Sequence, residues 1–501
     1  MSDQVPRTRE ELLDLLTPYG QEHLPAFWEE LDAEQRESLA AEIAGLQLDV
    51  VEKEYRRVGQ KEDLRALAMR AAPAPAIRLN DPNSPFTPEE ARQRGIEALK
   101  AGEVGVMLVA GGQGTRLGFP HPKGKFQIGP VSGHTLFQIH VEKIVAGSRR
   151  WGKPIPLYLM TSPATHDETL KFFTPNRFGL SQKDLRIFCQ GTMPAVDAVT
   201  GKVLLAERDK IALSPDGHGG MLAAAKRKGV LDDMRSRGIK HLFYFQVDNP
   251  LVEIGSPELI GYHLLSGSEL SSQVVAKRTP RDRVGNVVEV DGQVHVIEYS
   301  DLPDEVAQQR GPDGSLLIWA GSIAVHVIDV AFLERMAGRD DVLPFHVARK
   351  KVKHVDPGSP WQKWLQRINW RRWLHRILWG QRNAIKLEQF IFDLMPQARN
   401  AIAVEVDTAR CFAPLKNAAR TGWLFNLLKG LGLARDEDTP ETVRAQMIAL
   451  HTEWLRQAGA EVDEGVAVEI RPIFALDAEQ LKGKIDPGRR ISKPTCFPEP
   501  K

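Results

Sequence analysis

Residues 106–125 read VMLVAGGQGTRLGFPHPKGK. Gly111, Gly112 and Gly114 follow a short apolar run, and Arg116, Lys123 and Lys125 come close behind. Glycine backbone can turn sharply and present its N–H groups without side-chain obstruction, so such a turn can cradle an anion. Arg adds a fixed fork for phosphate oxygens, and Lys adds a mobile point charge. Two phosphate-binding patterns fail on spacing. A dinucleotide fingerprint needs Gly or Ala where Leu117 stands. A P-loop needs Ser or Thr after Gly124-Lys125, where Phe126 stands, and a glycine at the position of Phe119. What remains is G-G-x-G-T-R-L followed by Pro122-Lys123, or else a surface turn with solvated charges.

The elements that would position these groups follow from periodicity. Apolar strands at 106–109, 156–160 and 242–247 alternate with helical patterns at 135–146 and 220–235, which argues a largely parallel sheet with crossover helices. Phosphate-binding turns then belong at the carboxyl ends of the strands. Residues 1–100 read as helical, with apolar periodicity from Leu12 through Leu46 and a further helix near Glu89–Leu99. A proline-rich stretch, AAPAPAIRLNDPNSP, lies between them. VGNVVEVDGQVHVIEY at 284–299 is a hairpin signal centred on Asp291-Gly292, and another strand is expected at 316–320. The expected organisation is a helical region 1–100, a catalytic domain 101–390 and a small domain 391–501.

Composition narrows the partners. Lys+Arg 66 against Asp+Glu 65 in 501 residues leaves +1, so affinity for phosphate must come from local clusters rather than from a general attraction to polyanions. Neither nucleic acid nor membrane is the expected partner. No apolar stretch approaches the roughly 18 residues of a membrane span. Cys189, Cys411 and Cys496 are scattered and lack metal-ligand spacing, which with an acidic, non-apolar start suits a soluble cytoplasmic protein.

Further stretches occur in order along the chain: MTS at 160–162, QGTMPAV at 190–196, SPDGHGG at 214–220, QVDNPLV at 246–252, VIEYSDL at 296–302, KLEQFIFD at 386–393 and APLKNA at 413–418. Together with the glycine turn they resemble the UDP-N-acetylglucosamine pyrophosphorylases and their UDP-sugar relatives. That resemblance implies a Rossmann-like nucleotidyltransferase core and the reaction of UTP with a sugar 1-phosphate to give a UDP-sugar and pyrophosphate. The sugar it implies first is N-acetylglucosamine 1-phosphate, with glucose 1-phosphate or a broad specificity as the alternative. A catalytically silent sugar-nucleotide sensor is a further reading.

The attacking phosphate monoester, with a second pKa near ~6, is already mostly dianionic at neutral pH, so the reaction needs alignment and charge neutralisation rather than a general base. Arg116 and Lys123 are the candidates for the triphosphate. Asp248, after the strand FYFQV, can hold Mg²⁺, or it is a turn or cap aspartate. The resemblance places Lys386 near the transferred phosphate, whereas the residues alone read it as a helix lysine; Lys416 has no assigned role. It makes Gln190 the uracil reader, since an amide can match both O4 and N3–H, although a strand-end turn is the plainer reading. Leu108, Ala110, Gly111, Gly112 and Gly217 would complete the nucleotide contacts.

The sugar side departs from the family pattern. His218 stands where Asn is expected in P-D-G-N-G-G, and Ser322 where Asn is expected in A-G-N. Gly285, Glu298 and Tyr299 keep the pattern. Weakened discrimination for the acetamido group is the expectation. A stretch without parallel, WQKWLQRINWRRWLHRILWG at 361–380, reads as two short helices or a broken one packing on their own protein.

Overall fold

The computed structural model describes residues 8–57, 62–339, 342–356, 382–419 and 437–498. The tryptophan-rich stretch 361–380 lies outside them. The chain divides into two compact units, each assembled from separated segments. One comprises Met1–Asp63, Gln190–Met221 and Leu343–Ile391; the other comprises Leu64–Cys189, Leu222–Val342 and Phe392–Lys501. The units cut across linear boundaries at 100 and 390.

In the larger unit, strand β1 (Val104–Val109) is the apolar run before the glycine turn, and Val106, Met107 and Leu108 are fully buried. It pairs in parallel with β2 (Leu157–Thr161), which pairs in parallel with β3 (Leu185–Cys189). On its other side β1 pairs in parallel with β4 (His241–Gln246). Beyond β4 lie β6 (Ala320–Asp329), antiparallel to both its neighbours, then β5 (Leu270–Ala276) and β7 (Ala401–Glu405). The sheet is therefore mixed and mostly parallel. The chain steps from β1 through β2 to β3, then returns to the opposite side of β1 for β4. Such a reversal opens a crevice at the carboxyl ends of the two strands, where open α/β sheets bind ligands.

Helix α1 (Pro88–Ala101) starts where Thr87 and Glu90 form a reciprocal capping box with Pro at the first position. Helix α2 (Leu136–Trp151) buries Phe137, Ile139, Val141 and Ile144 in the core beneath β1. The helix expected over 220–235 is broken in two, Met221–Arg227 and Val230–Ser236, because Gly229 takes a left-handed φ of 64°. The strand expected at 316–320 instead begins at Ala320 and runs to Asp329. The Asp291-Gly292 hairpin forms as read, with both residues at positive φ. The proline-rich stretch is not only a linker: Ala72–Pro73 and Ala76–Ile77 add to sheet edges, where a missing N–H is tolerated.

In the smaller unit, helices Arg9–Leu16, Ala33–Ala44 and Leu48–Arg57 lay Leu12, Leu16, Leu39, Ile43 and Val51 in one core with Val196, Ile211, Ile385 and Leu387. Residues 384–389, within which Lys386 reads from sequence as a helix lysine, form the central strand of a three-stranded antiparallel sheet between Phe345–Lys350 and Val196–Asp197. Ile385 and Leu387 point to one buried face, and this period of two overrides the local helix propensity of KLEQ. Among the described residues no helix is long and apolar enough to cross a membrane.

Candidate functional site

The glycine turn is a closed loop rather than an open bend. Lys123 N–H donates to Gly112 O (3.0 Å), Gly114 N–H to His121 O (2.9 Å) and Phe119 N–H to Gly114 O (3.1 Å). Gly114 is required by close approach, since a Cβ there would stand 2.7 Å from Phe119 O. At Gly112 a Cβ would meet nothing within 4 Å, so the backbone there is bare. The MTS stretch supports the loop from β2: Ala110 N–H donates to Met160 O (2.8 Å) and Ser162 Oγ–H to Gly111 O (2.7 Å).

Closing the loop returns Lys123 to the carboxyl end of β4. Its Nζ lies 3.6 Å from Asp248 Oδ2, with side chains 19% and 16% exposed, so the pair is sheltered but reachable. The cation cluster read from sequence is smaller than expected. Lys125 is held by Glu168, which also takes His121 at 2.8 Å, so Lys125 does not join Lys123. Arg116 is exposed, and its carbonyl accepts from Ala418 N–H (3.1 Å).

That contact brings in APLKNA, over 290 residues later in the chain. Leu415 N–H donates to Asp248 O (2.8 Å), and Asn249 Oδ1 accepts from the amides of Leu251 (3.2 Å) and Ala413 (3.0 Å). Asn249 Nδ2 donates to Cys411 O (2.7 Å). The buried Asn249 thus ties Lys416 and its neighbours to the Asp248 turn. Lys416 and Asn417 both donate their amides to Asp438 O, at 2.8 and 3.0 Å. Burial pushes the Asp438 carboxyl up; Lys416 opposes this, while Glu437 and Asp248 add to it.

Helix α2 supports the same turn from beneath. His140 Nε2–H donates to Val247 O (3.0 Å), and Lys143 Nζ donates to Pro250 O (2.6 Å) and Val252 O (2.8 Å). Burial pulls the Lys143 ammonium down to about 8 and His140 down to about 3. Sequence reading missed Asn249, Lys143, His140 and Asp438.

The sugar candidates of this unit also converge. Gly285 and Ser322 are register partners of adjacent strands, and a Cβ at Gly285 would stand 3.8 Å from Glu298 Oε1 and 3.9 Å from Ser322 Cβ. Ser322 Oγ accepts from Ala324 N–H (3.3 Å) at an irregularity of β6 where Ala324 has φ 56°, so the hydroxyl serves its own strand. Tyr299 is 49% exposed. Lys277, absent from the sequence reading, is buried and donates to Asn286 Oδ1, and burial lowers its ammonium.

Gln190, Gly217, His218 and Lys386 belong to the smaller unit and form their own arrangement. The buried Gln190 gives both amide hydrogens away, to Asp216 Oδ1 (3.0 Å) and Gly217 O (3.1 Å), so it offers a ligand its carbonyl alone instead of a donor and an acceptor together. Gly217 has φ 86°, and a Cβ there would lie 2.3 Å from Gln389 O. No other residue fits. His218 Nδ1 accepts from Ile391 N–H (3.2 Å), so the neutral ring carries its proton on Nε2. Its ring stacks on Phe390 (5.0 Å), which stacks on His346 (4.5 Å). Burial, with the nearby His346 charge adding, pulls His218 down to about 4. Lys386 lies mid-strand, opposite Ala348.

A glycine loop, a lysine and a carboxylate gathered at a topological switch point are the arrangement of a nucleotidyltransferase. The chain belongs to the UTP–glucose-1-phosphate uridylyltransferase family, whose model matches residues 77–428. It is 36% identical over 514 residues to the human UDP-N-acetylhexosamine pyrophosphorylase-like protein 1, covering 96% of this chain and 95% of the relative. It is also 36% identical over 401 residues, 78% of either chain, to the UDP-N-acetylglucosamine pyrophosphorylase of Saccharomyces cerevisiae. In fold it is similar to the Trypanosoma brucei uridine diphosphate N-acetylglucosamine pyrophosphorylase solved with an inhibitor, with TM-score 0.75 at 24% identity, covering 98% of this chain and 99% of that one. Uridylyl transfer from UTP to a sugar 1-phosphate is the reaction class.

Proposed function

We propose that this enzyme makes UDP-N-acetylglucosamine from UTP and N-acetylglucosamine 1-phosphate, accepts glucose 1-phosphate less well, and requires Mg²⁺. The observation that carries this reading is the closed glycine loop, which sets Lys123 beside Asp248 at the switch point. The main chain of Gly111 and Gly112, backed by Leu108 and Ala110, takes the nucleotide, while Arg116 and Lys123 neutralise the triphosphate and the departing pyrophosphate. Lys386 is assigned to the transferred phosphate on its sequence motif alone.

The residues fit a magnesium ion. Mg²⁺ is bound by one or two carboxylates and completed by substrate phosphates and water, and Asp248 is one partly exposed carboxylate whose nearest cation stands 3.6 Å away. Bound there, the ion would supply further charge neutralisation on the phosphates. Asn249 and Lys143 hold the turn that carries Asp248. For the sugar, Gly285, Glu298, Tyr299 and Ser322 are the proposed contacts in the larger unit; His218, in the smaller unit, is assigned to it on its sequence motif alone. The three cysteines form no disulfide, which suits a cytoplasmic setting.

The test is pyrophosphate release from UTP with a panel of sugar 1-phosphates. Release is expected with the N-acetyl sugar first and glucose 1-phosphate next, lost on chelation and restored by Mg²⁺. Nucleotide binding without release on any sugar would instead mark a sensor.

A further inference from the structure

The opposite end of β4 carries a second constellation that uridylyl transfer leaves unused. His241 opens β4, and Asp329 ends the adjacent antiparallel β6 as its register partner. His263 lies on helix α3 (Pro257–Leu265). Asp329 Oδ1 stands 2.7 Å from His241 Nδ1 and 2.9 Å from His263 Nε2. The His263 side chain is fully enclosed, His241 is nearly so, and Asp329 keeps 30% exposure. A strand rises about 3.3 Å per residue, so seven residues place Asp248 about 20 Å from this cluster.

Two further observations separate this cluster from an ordinary surface ion pair. Asp329 occupies the N-cap position of helix α4 (Val330–Ala337), where aspartate ordinarily bonds the first amides, yet its carboxylate makes no capping bond and faces the two imidazoles. His263 Nδ1 lies 2.9 Å from Ser271 Oγ on β5, a buried hydroxyl. This is the outer contact that fixes a ligating imidazole, with its other nitrogen turned to the metal. The neighbouring cations are committed elsewhere, Lys240 to Glu103 and Arg335 to both oxygens of Glu269.

We propose that His241, His263 and Asp329 hold a divalent transition-metal ion of the zinc class. Two imidazoles and one carboxylate, with water in the fourth position through the exposed side of Asp329, make a tetrahedral set suited to zinc. The three ligand atoms lie within 4.8 Å of one another. Around zinc, with bonds of about 2.0–2.2 Å, ligand atoms stand about 3.3–3.6 Å apart, so each N···O separation opens by less than ~1 Å to admit the ion. With the ion bound both rings are neutral, His263 carrying its proton on Nδ1 towards Ser271 and His241 its own on Nε2; without it each ring turns an N–H to Asp329 Oδ1. The ion fastens β4, β6 and α3 at the end of the sheet away from the glycine loop.

The test uses the full chain, stripped with chelator and titrated with Co²⁺ and Zn²⁺ in the absence of Mg²⁺ and nucleotide. One Co²⁺ per chain is expected, with the intense visible absorption of four-coordinate cobalt, bleached by Zn²⁺. Excess Zn²⁺ should raise Tm by several degrees through binding the folded state. Asp329→Asn and His263→Gln should lose both signals, Ser271→Ala should weaken affinity about 10- to 100-fold, and Asp248→Asn should keep both. Absence of cobalt absorption, or its persistence in Asp329→Asn, would overturn the proposal and leave a hydrogen-bonded staple. X-ray absorption of the Zn²⁺-loaded wild type decides the matter even where a variant fails to fold: two imidazole ligands support the site, and fewer overturn it.

Discussion

The two ends of β4 present carboxylates in opposite circumstances. Beyond its carboxyl end, Asp248 has its main chain fixed by Leu415, while its carboxylate faces a lysine that stops 3.6 Å short of it. At its amino end, Asp329 is fully engaged by two imidazoles at hydrogen-bond distance, which hold its carboxyl down at about 2 against the opposing effect of burial. One end fixes backbone and leaves its carboxylate open to substrate; the other closes its carboxylate between two side chains that would become its co-ligands when an ion enters.

The sharpest way to break that comparison is to remove charge at each end in turn. Arg116→Ala, Lys123→Ala or Asp248→Asn should lower kcat by about 10²- to 10³-fold, the usual loss when a preorganised electrostatic contact to the transition state is deleted. These groups lie on turns, so thermal unfolding should be nearly unchanged. Asp329→Asn should do the reverse, lowering Tm while leaving kcat at 25 °C intact. Steady-state kinetics and calorimetry on the same four proteins decide it, and near wild-type turnover in Lys123→Ala would displace the triphosphate from this loop.

A smaller effect concerns acid. His140, at about 3, and His451, pulled by burial to about 4, stay neutral in the fold at pH values where unfolded histidine near 6.5 takes a proton. Between pH 6.5 and about 4 the unfolded chain therefore binds more protons, and stability falls as pH falls, by up to about 1.4 kcal/mol per pH unit for each ring. The Asp329 contribution has its own window: it is present above 3.8 and is lost only as pH falls towards 2. Urea unfolding at pH 7, 6 and 5 should show the histidine limb. A flat profile would mean that these rings titrate in the folded protein.

Lys143→Met tests how the Asp248 turn is held. It leaves the carbonyls of Pro250 and Val252 without their donor, and about 1–3 kcal/mol is the usual cost of a buried group so stranded. A roughly tenfold fall in kcat is expected, with the KM for UTP little altered. A variant with unchanged kcat would show that α2 supports the fold and not the Asp248 geometry.

The smallest effect lies at the sugar. Asn at position 218 can keep the acceptor used by Ile391 N–H, and Asn at 322 can reach past the serine that serves Ala324. His218→Asn and Ser322→Asn should each shift the kcat/KM ratio towards N-acetylglucosamine 1-phosphate by about tenfold, the scale of one polar contact. Unchanged ratios in both would remove these positions from sugar recognition.

Read along the chain, the residues already determined the parallel strands around β1, the helix α1, the Asp291-Gly292 turn and the glycine turn after β1. Each rests on neighbours within a few residues, where side-chain period and backbone freedom act directly. The register of KLEQ was not legible, since a strand held between two others takes its conformation from them. Nor was the fate of Lys125, whose partner Glu168 lies over 40 residues away. Asn249, Lys143 and Asp438 act through backbone groups of distant segments, which carry no side-chain signature in sequence. The sequence determined which groups are available for phosphate chemistry. Tertiary structure alone decided which charges remain free for it, because charge is neutralised by neighbours in space and not by neighbours along the chain.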